Sequence, residues 1–224
     1  MKPTSDYIAP RLAGVAEALA WHVRRQIFER TMRMLKPKPD WRVIDVGVTH
    51  DQSHDSNFFE KLYPYPEKIT AVGLENANFL EQQYPGLSFI QADATALPFP
   101  DNAFDLAFCS AVIEHAGARP NQRKVISELV RVSRVAVLTT PNRYYPLEFH
   151  TLTPLLHWLP PRLFRRFLRL TGRNFFAKES SLNLLSHRDM WRMFRDCEVN
   201  AEACHHRLGG AFSNLVYILT KAQK

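Results

Sequence analysis

The 224-residue sequence predicts an α/β domain: a doubly wound, mostly parallel sheet with an antiparallel edge strand and a helical cap inserted after the fifth strand. Three observations predict it. Short β-rich runs recur between helical stretches, and they are continuously apolar rather than alternating, the pattern of parallel strands covered on both faces. One long segment beginning at Pro141 breaks this rhythm with prolines and aromatics where the plain fold needs only a loop and a helix.

The elements follow in order. From Arg11 to Leu35, apolar Leu12, Val15, Ala16, Leu19, Val23, Ile27 and Met34 recur at three- and four-residue spacings, which places them on one face of a leading helix. Pro37 and Pro39 end it, because proline cannot continue the helical ladder and disfavours helix in the residue before it. Strands are expected at 42–46, 69–74, 87–92, 104–109 and 134–139, with helices between them. Near the end, 199–203, a turn at Gly209-Gly210 and 215–220 predict a closing hairpin-like pair at the sheet edge. The whole reads as one domain of 1–224: leading helix 1–40, cofactor-binding core 41–140, acceptor-side cap 141–180 and closing strands 181–224.

Composition narrows the class. The chain is 46% hydrophobic, enough for a core, yet no apolar run approaches the roughly 20 residues of a membrane span. The first ten residues lack the apolar stretch of a secretory signal, so a cytoplasmic protein is expected. Cys109, Cys197 and Cys204 form no CxxC pair and suggest neither disulfides nor a zinc site. The net charge of +7 suits phosphate, nucleic acid or anionic lipid, and equally a soluble surface.

In an open parallel sheet, ligands bind beyond the carboxyl ends of the strands. The first strand ends in Asp45-Val46-Gly47, where glycine admits close approach of a ligand to the backbone. A helix is expected just beyond, with Asn57 as its cap, Glu60 three residues on, and free amides for a carboxylate. Glu75 after the second strand is placed to accept bonds from ribose hydroxyls, and Asp93 after the third to read an adenine edge. Singly, each is equally an ordinary loop residue; acids at three successive strand ends are harder to dismiss.

The string VIDVG, then AVGLE, QADATALPFPDNAFDLAFCSAVIEH and VLTTPNR resembles the type 11 family of class I methyltransferases over roughly Trp41 to Arg143. The resemblance implies a Rossmann-like fold and S-adenosylmethionine as cofactor, with Asp45, Gly47, Glu75, Asp93, Ala94 and Ser110 lining its site and the stretch from Ser110 to His115 facing the methyl donor. One departure stands out: where relatives read DxGxGxG, this chain has Asp45-Val-Gly-Val-Thr-His-Asp51, followed by about ten extra residues that include His54 and Asp55. A nicotinamide dehydrogenase needs those glycines under its pyrophosphate; S-adenosylmethionine has none.

A sulfonium is already a good leaving group, so alignment is the main demand on the protein. For a hydroxyl acceptor His115 is the candidate base and Glu114 its neighbour, with capping or packing under the cofactor as the alternative for His115. Some methyltransferases with a related E-x-x-E-H sequence hold a metal there together with a later histidine. Ala111 takes the place of the first carboxylate here, which speaks against a metal at Glu114, His115 and His150, and His50, Asp51, His54 and Asp55 have no fixed ligand spacing, so no metal is expected. The cap, whose string resembles bacterial methyltransferases, offers Asn142, Arg143, Tyr144, Tyr145, Glu148, His150 and His157 as acceptor-side residues, most of which could equally be lid core. In PRLFRRFLRL an apolar stripe of Leu163, Phe164, Phe167, Leu168 and Leu170 runs beside Arg162, Arg165, Arg166, Arg169 and then Arg173, which suits an anionic membrane surface or a solvated cap helix. The expected acceptor is a small molecule, a lipid or a lipid-linked sugar, methylated on oxygen. RNA is the less favoured partner, since no RNA-binding module accompanies the basic charge, and a non-catalytic binding subunit is the third reading.

Overall fold

In a computed structural model, residues 13–222 are described; residues 1–12, Arg11 and Leu12 of the expected helix among them, and 223–224 lie outside them. The leading helix α1 spans Ala13–Leu35 and lays Val23, Ile27 and Phe28 on the sheet; it ends at Lys36, whose φ of 48° precedes Pro37. Then come β1 (Val43–Val46), α2 (Phe58–Leu62), β2 (Ile69–Gly73), α3 (Phe79–Gln83), β3 (Ser88–Gln91), β4 (Phe104–Ser110), α4 (Arg119–Val132) and β5 (Ser133–Pro141). The cap holds the short strands β6 (Leu147–Glu148) and β7 (Thr153–Pro154) and helix α5 (Pro161–Leu170). α6 (His187–Asp196), β8 (Val199–Ala203), β9 (His206–Leu208) and β10 (Ala211–Lys221) complete the chain.

The sheet runs β3-β2-β1-β4-β5-β10-β8, with β9 also paired to β10. β3 to β5 are mutually parallel and β10 is antiparallel to β5, as the sequence predicts. The continuous apolar strands explain the layers, since successive residues serve opposite faces. Leu106 and Phe108 point toward α1 and α2, while Ala107 and Cys109 join the core under α4 and α6. The order reverses at β1/β4, and that reversal opens a crevice at the strand tips.

Two expectations need correction. The Gly209-Gly210 turn links β9 to β10, not the 199–203 strand to its partner; β8 reaches β10 only after β9 intervenes. The closing segment also contains α6, begun by a capping box in which the Ser186 hydroxyl and the Asp189 carboxylate each bond the other's backbone amide. Among the described residues no helix is long and apolar enough to cross a membrane.

Candidate active site

A cavity of about 1000 Å³ lies over the tips of β1 to β4. Asp45, Gly47, Glu75, Asp93, Ala94 and Ser110 all line it, at one end, and His115 and His150 line it further along. Gly47 has a φ of 111°, and its amide bonds the Val72 carbonyl at 2.7 Å. A Cβ there would sit 2.0 Å from Val112 Cγ2, so this turn requires glycine for space as well as for backbone shape. Val48, in place of the next glycine-rich step, is buried, and its carbonyl lies where a Cβ on Gly73 would come within 2.4 Å.

The extra loop is a braced structure. Asn57 does precede α2, but its side chain does not cap it: Oδ1 accepts from the Thr49 amide at 2.9 Å and Nδ2 donates to the Thr49 and Asp51 carbonyls. Its own φ of 46° turns it away from the capping geometry. Lys61 donates to the Ser53, His54 and Ser56 carbonyls, and Arg24 pairs with Asp55 at 2.6 Å. Asp51 accepts from Ser53 and Ser56, the His54 ring rests against Trp21, and His50 pairs through Nδ1 with the Glu75 carboxylate. His50 thus fixes the Glu75 carboxylate, a contact that spacing alone did not reveal.

Glu60 is not a capping partner either. It is buried beside Asp45, and its only side-chain partner is the Asp45 carboxyl. Burial, and then the charge of Glu60, raise the Asp45 carboxyl well above its usual range, and burial raises Glu60 as well. Two like charges cannot both persist there, so the pair retains a proton. Asp93 receives the Thr95 amide at 2.8 Å. The LPFPD stretch after it is pinned by Arg131, which donates to the Leu97 and Phe99 carbonyls, while Glu128 accepts the Leu97 amide.

Beyond β4 the cavity meets the cap. Glu114 is fully buried; its Oε2 accepts from Thr140 at 2.9 Å and its Oε1 has no partner. His115 places Nδ1 2.7 Å from the Ser181 carbonyl, and burial, then the neighbouring His150, push its pKa down to about 3, so the ring is neutral. His150 stands edge-on to it, ring centroids 5.0 Å apart, with Nδ1 2.7 Å from Glu148. Burial opposes charge on both members of that second pair, but their mutual attraction and the donors from Thr151 hold Glu148 at about 2 and raise His150.

The other acceptor-side candidates lie off the cavity lining. Asn142 bonds the Phe212 carbonyl and the Tyr144 amide, Arg143 donates to the Leu159 carbonyl, and Tyr144 is exposed against Trp158. Tyr145 stacks on Phe149, Glu148 serves His150, and buried His157 bonds the Tyr145 carbonyl at 2.8 Å. In their place Phe149, Leu152 and Pro141 join His150 along the wall. The apolar stripe of α5 is split: Phe164 and Leu168 are buried, while Leu163 and Leu170 face solvent. Arg165 is also set apart from the other arginines, turned toward Glu179 at 3.7 Å.

A doubly wound sheet with its crevice at the β1/β4 reversal, acids at the carboxyl ends of β1, β2 and β3 and a capped far end define the class I S-adenosylmethionine-dependent methyltransferase fold. The family model described as a methyltransferase domain matches residues 56–136. The chain is 31% identical over 86 residues to the phthiotriol/phenolphthiotriol dimycocerosates methyltransferase of Mycobacterium tuberculosis, covering 37% of this chain and 28% of that protein. It is 25% identical over 133 residues to the demethylmenaquinone methyltransferase of Renibacterium salmoninarum, covering 58% and 52%. The chain thus aligns with about half or less of these curated relatives. Among solved structures, the magnesium protoporphyrin IX methyltransferase of Synechocystis with bound SAH shares the fold at a TM-score of 0.60 and 11% identity, covering 97% of this chain and 91% of that one. The YcgJ protein of Bacillus subtilis does so at 0.58 and 15%, covering 89% and 100%.

Proposed function

We propose that this chain transfers the methyl group of S-adenosylmethionine to a hydroxyl oxygen of an apolar acceptor drawn from a membrane surface. One observation carries the reading: a single cavity runs from Asp45, Glu75 and Asp93 past Ser110 to His115, Phe149, His150 and Leu152. Asp45, Glu75 and Asp93 would hold the nucleoside at the first end, so that S-adenosylmethionine would supply its methyl group toward the second. The methyl carbon passes from sulfur to the acceptor oxygen, sulfur keeps the bonding pair as a neutral thioether, and the hydroxyl proton leaves to water. Neutral His115 is too weakly basic to hold that proton. Its contribution, with Glu114 behind it, is to fix the acceptor's polar atom in line, and proximity supplies most of the acceleration.

The apolar wall favours an apolar acceptor, and the two curated relatives are named for phthiotriol dimycocerosates and demethylmenaquinone. The cap surface supports the membrane part. Tyr144, Leu155, Trp158, Leu159, Leu163 and Leu170 are exposed together with Arg162, Arg166 and Arg169. On α5 these arginines recur at positions four and seven apart, and Leu163 and Leu170 seven apart on the adjoining face. Such a surface matches an anionic lipid headgroup layer over acyl chains.

Methyl-labelled S-adenosylmethionine incubated with the protein and a cell extract tests this. Label should enter the lipid fraction; label confined to nucleic acid, protein or water-soluble metabolites overturns the acceptor class. Absence of any S-adenosylhomocysteine binding by calorimetry overturns methyl transfer altogether.

A further inference from the structure

We infer that the groove between α1 and β9, apart from the methyl-donor cavity, binds the diphosphate group of a small organic anion. The groove holds about 620 Å³ and shares no lining residue with that cavity. Arg30 and Arg33, three residues apart on α1 and so on one face, supply one wall, and Arg207 of β9 supplies another. Among the described residues none of these three guanidiniums has a carboxylate partner. Glu29 is the one acid of the lining, and Arg25 already takes it at 2.8 Å. Three cations thus gather with no acid to offset their repulsion, an arrangement that favours an anion between them.

The groove is built rather than loose. Arg30 donates to the His205 carbonyl at 3.1 Å, which uses one of its five N–H groups, and the Arg207 guanidinium lies over the exposed Phe212 ring, 4.4 Å from its centroid. Both are placed before a ligand arrives, which lowers the ordering cost of binding. Behind them the Gln26 Oε1 can only accept, so buried His206 donates to it from Nε2 at 2.7 Å and takes the Ser213 hydroxyl at Nδ1. Burial first, and then a neighbouring histidine and Arg30, push His205 down to about 4 and lower His206 too, so both rings are neutral and the arginines set the sign of the field.

The number and spread of the cations select the ligand. A carboxylate offsets only one of three charges, whereas two linked phosphates carry about three at neutral pH and present oxygens to opposite walls, where planar guanidiniums bind them in pairs of bonds. A nucleic-acid strand calls instead for an extended basic track with open stacking rings, and Phe212 already has Arg207 over its ring. The site stands on its own side chains and does not depend on which acceptor the chain methylates.

Pyrophosphate is titrated by calorimetry into the full chain saturated with S-adenosylhomocysteine, which fills the donor cavity, with orthophosphate as the comparison. The expected result is one pyrophosphate per chain, bound at least about tenfold more tightly than orthophosphate. Arg33→Ala and Arg207→Ala should each weaken it about tenfold while S-adenosylhomocysteine affinity is kept. Arg169→Ala on α5, the same change of net charge outside the groove, should leave it unchanged. Uridine diphosphate in solution and an isoprenyl diphosphate in neutral phosphatidylcholine vesicles then identify the carrier, and tighter binding of either supports the site. Wild-type chain that binds no pyrophosphate overturns the site whether or not the variants fold. Affinity lowered as much by Arg169→Ala as by Arg207→Ala overturns it in favour of unspecific charge attraction. Single-stranded RNA bound through Arg33 and Arg207 without pyrophosphate binding overturns it in favour of an RNA contact.

Discussion

Gly47 and Val112 interlock: the space a Cβ would need on Gly47 is occupied by Val112 Cγ2, 2.0 Å away. The φ of 111° at Gly47 adds a second penalty, because side-chain-bearing residues avoid that region. Gly47→Ala should destabilise the fold by about 1–3 kcal/mol and weaken S-adenosylhomocysteine binding, since the turn faces the cavity. Adding Val112→Ala should recover part of the loss, the steric part, and leave the backbone strain. Urea unfolding of the single and double variants measures both; a double variant no better than Gly47→Ala would show that the contact does not matter.

The Asp45 and Glu60 carboxyls titrate high because burial disfavours their charge, with mutual repulsion adding to it at Asp45. The folded chain therefore retains a proton that the unfolded chain, with carboxyls near the usual value of about 4, has released. Their contribution to stability is full below that usual value and is lost as pH rises through the raised folded values, at about 1.4 kcal/mol per pH unit for one retained proton. Glu60→Gln, neutral throughout, should flatten the decline. Urea midpoints from pH 4 to pH 8 give the slope, and equal slopes for both proteins would remove the shared proton from the account.

Glu75 and Asp93 are the nucleoside-reading acids of the proposed donor site. Each replacement by alanine should weaken S-adenosylhomocysteine binding roughly 10–100-fold, the range of one or two charge-assisted hydrogen bonds. His50→Ala should cost less, about threefold, since it removes only the group that orients Glu75. Asn142→Ala, off the cavity lining, should change nothing. Calorimetry ranks the four, and an unaffected Glu75→Ala would contradict the whole placement of the donor.

The parallel core was legible because its signals are local. Short apolar runs such as VIDV and FDLAFCS, alternating with helical stretches, read as strands buried on both sides, and residues at their carboxyl ends fall at the crevice. What stayed hidden depends on long-range contact. Glu60 sits at a capping spacing from Asn57, yet tertiary burial carries it to Asp45. His50 meets Glu75 across 25 residues, a distance no periodicity encodes. In the cap, aromatic residues that spacing offered as acceptor contacts divide between lid core and outer surface, and only the packed fold tells Phe149 on the wall from Tyr144 in solvent.

Leu170 is 78% exposed and Leu163 is 51% exposed, an arrangement a solvated helix gains nothing from. Burying both in a bilayer interface is worth a few kcal/mol at about 1.5–3 per side chain, and each arginine near an anionic surface adds about 1. Leu163→Glu with Leu170→Glu should therefore reduce partition onto vesicles rich in anionic phospholipid by at least about tenfold. Arg162→Ala with Arg166→Ala should reduce it less and mainly at low salt, because exposed charges are screened within about 10 Å at 0.1 M ionic strength. Neither pair lines the cavity, so S-adenosylhomocysteine affinity should stay at the wild-type value. Sedimentation with neutral and anionic vesicles separates the two contributions. Binding that is equal for both vesicle types, or untouched by the leucine replacements, would leave α5 as an ordinary cap helix and remove the membrane from the proposal.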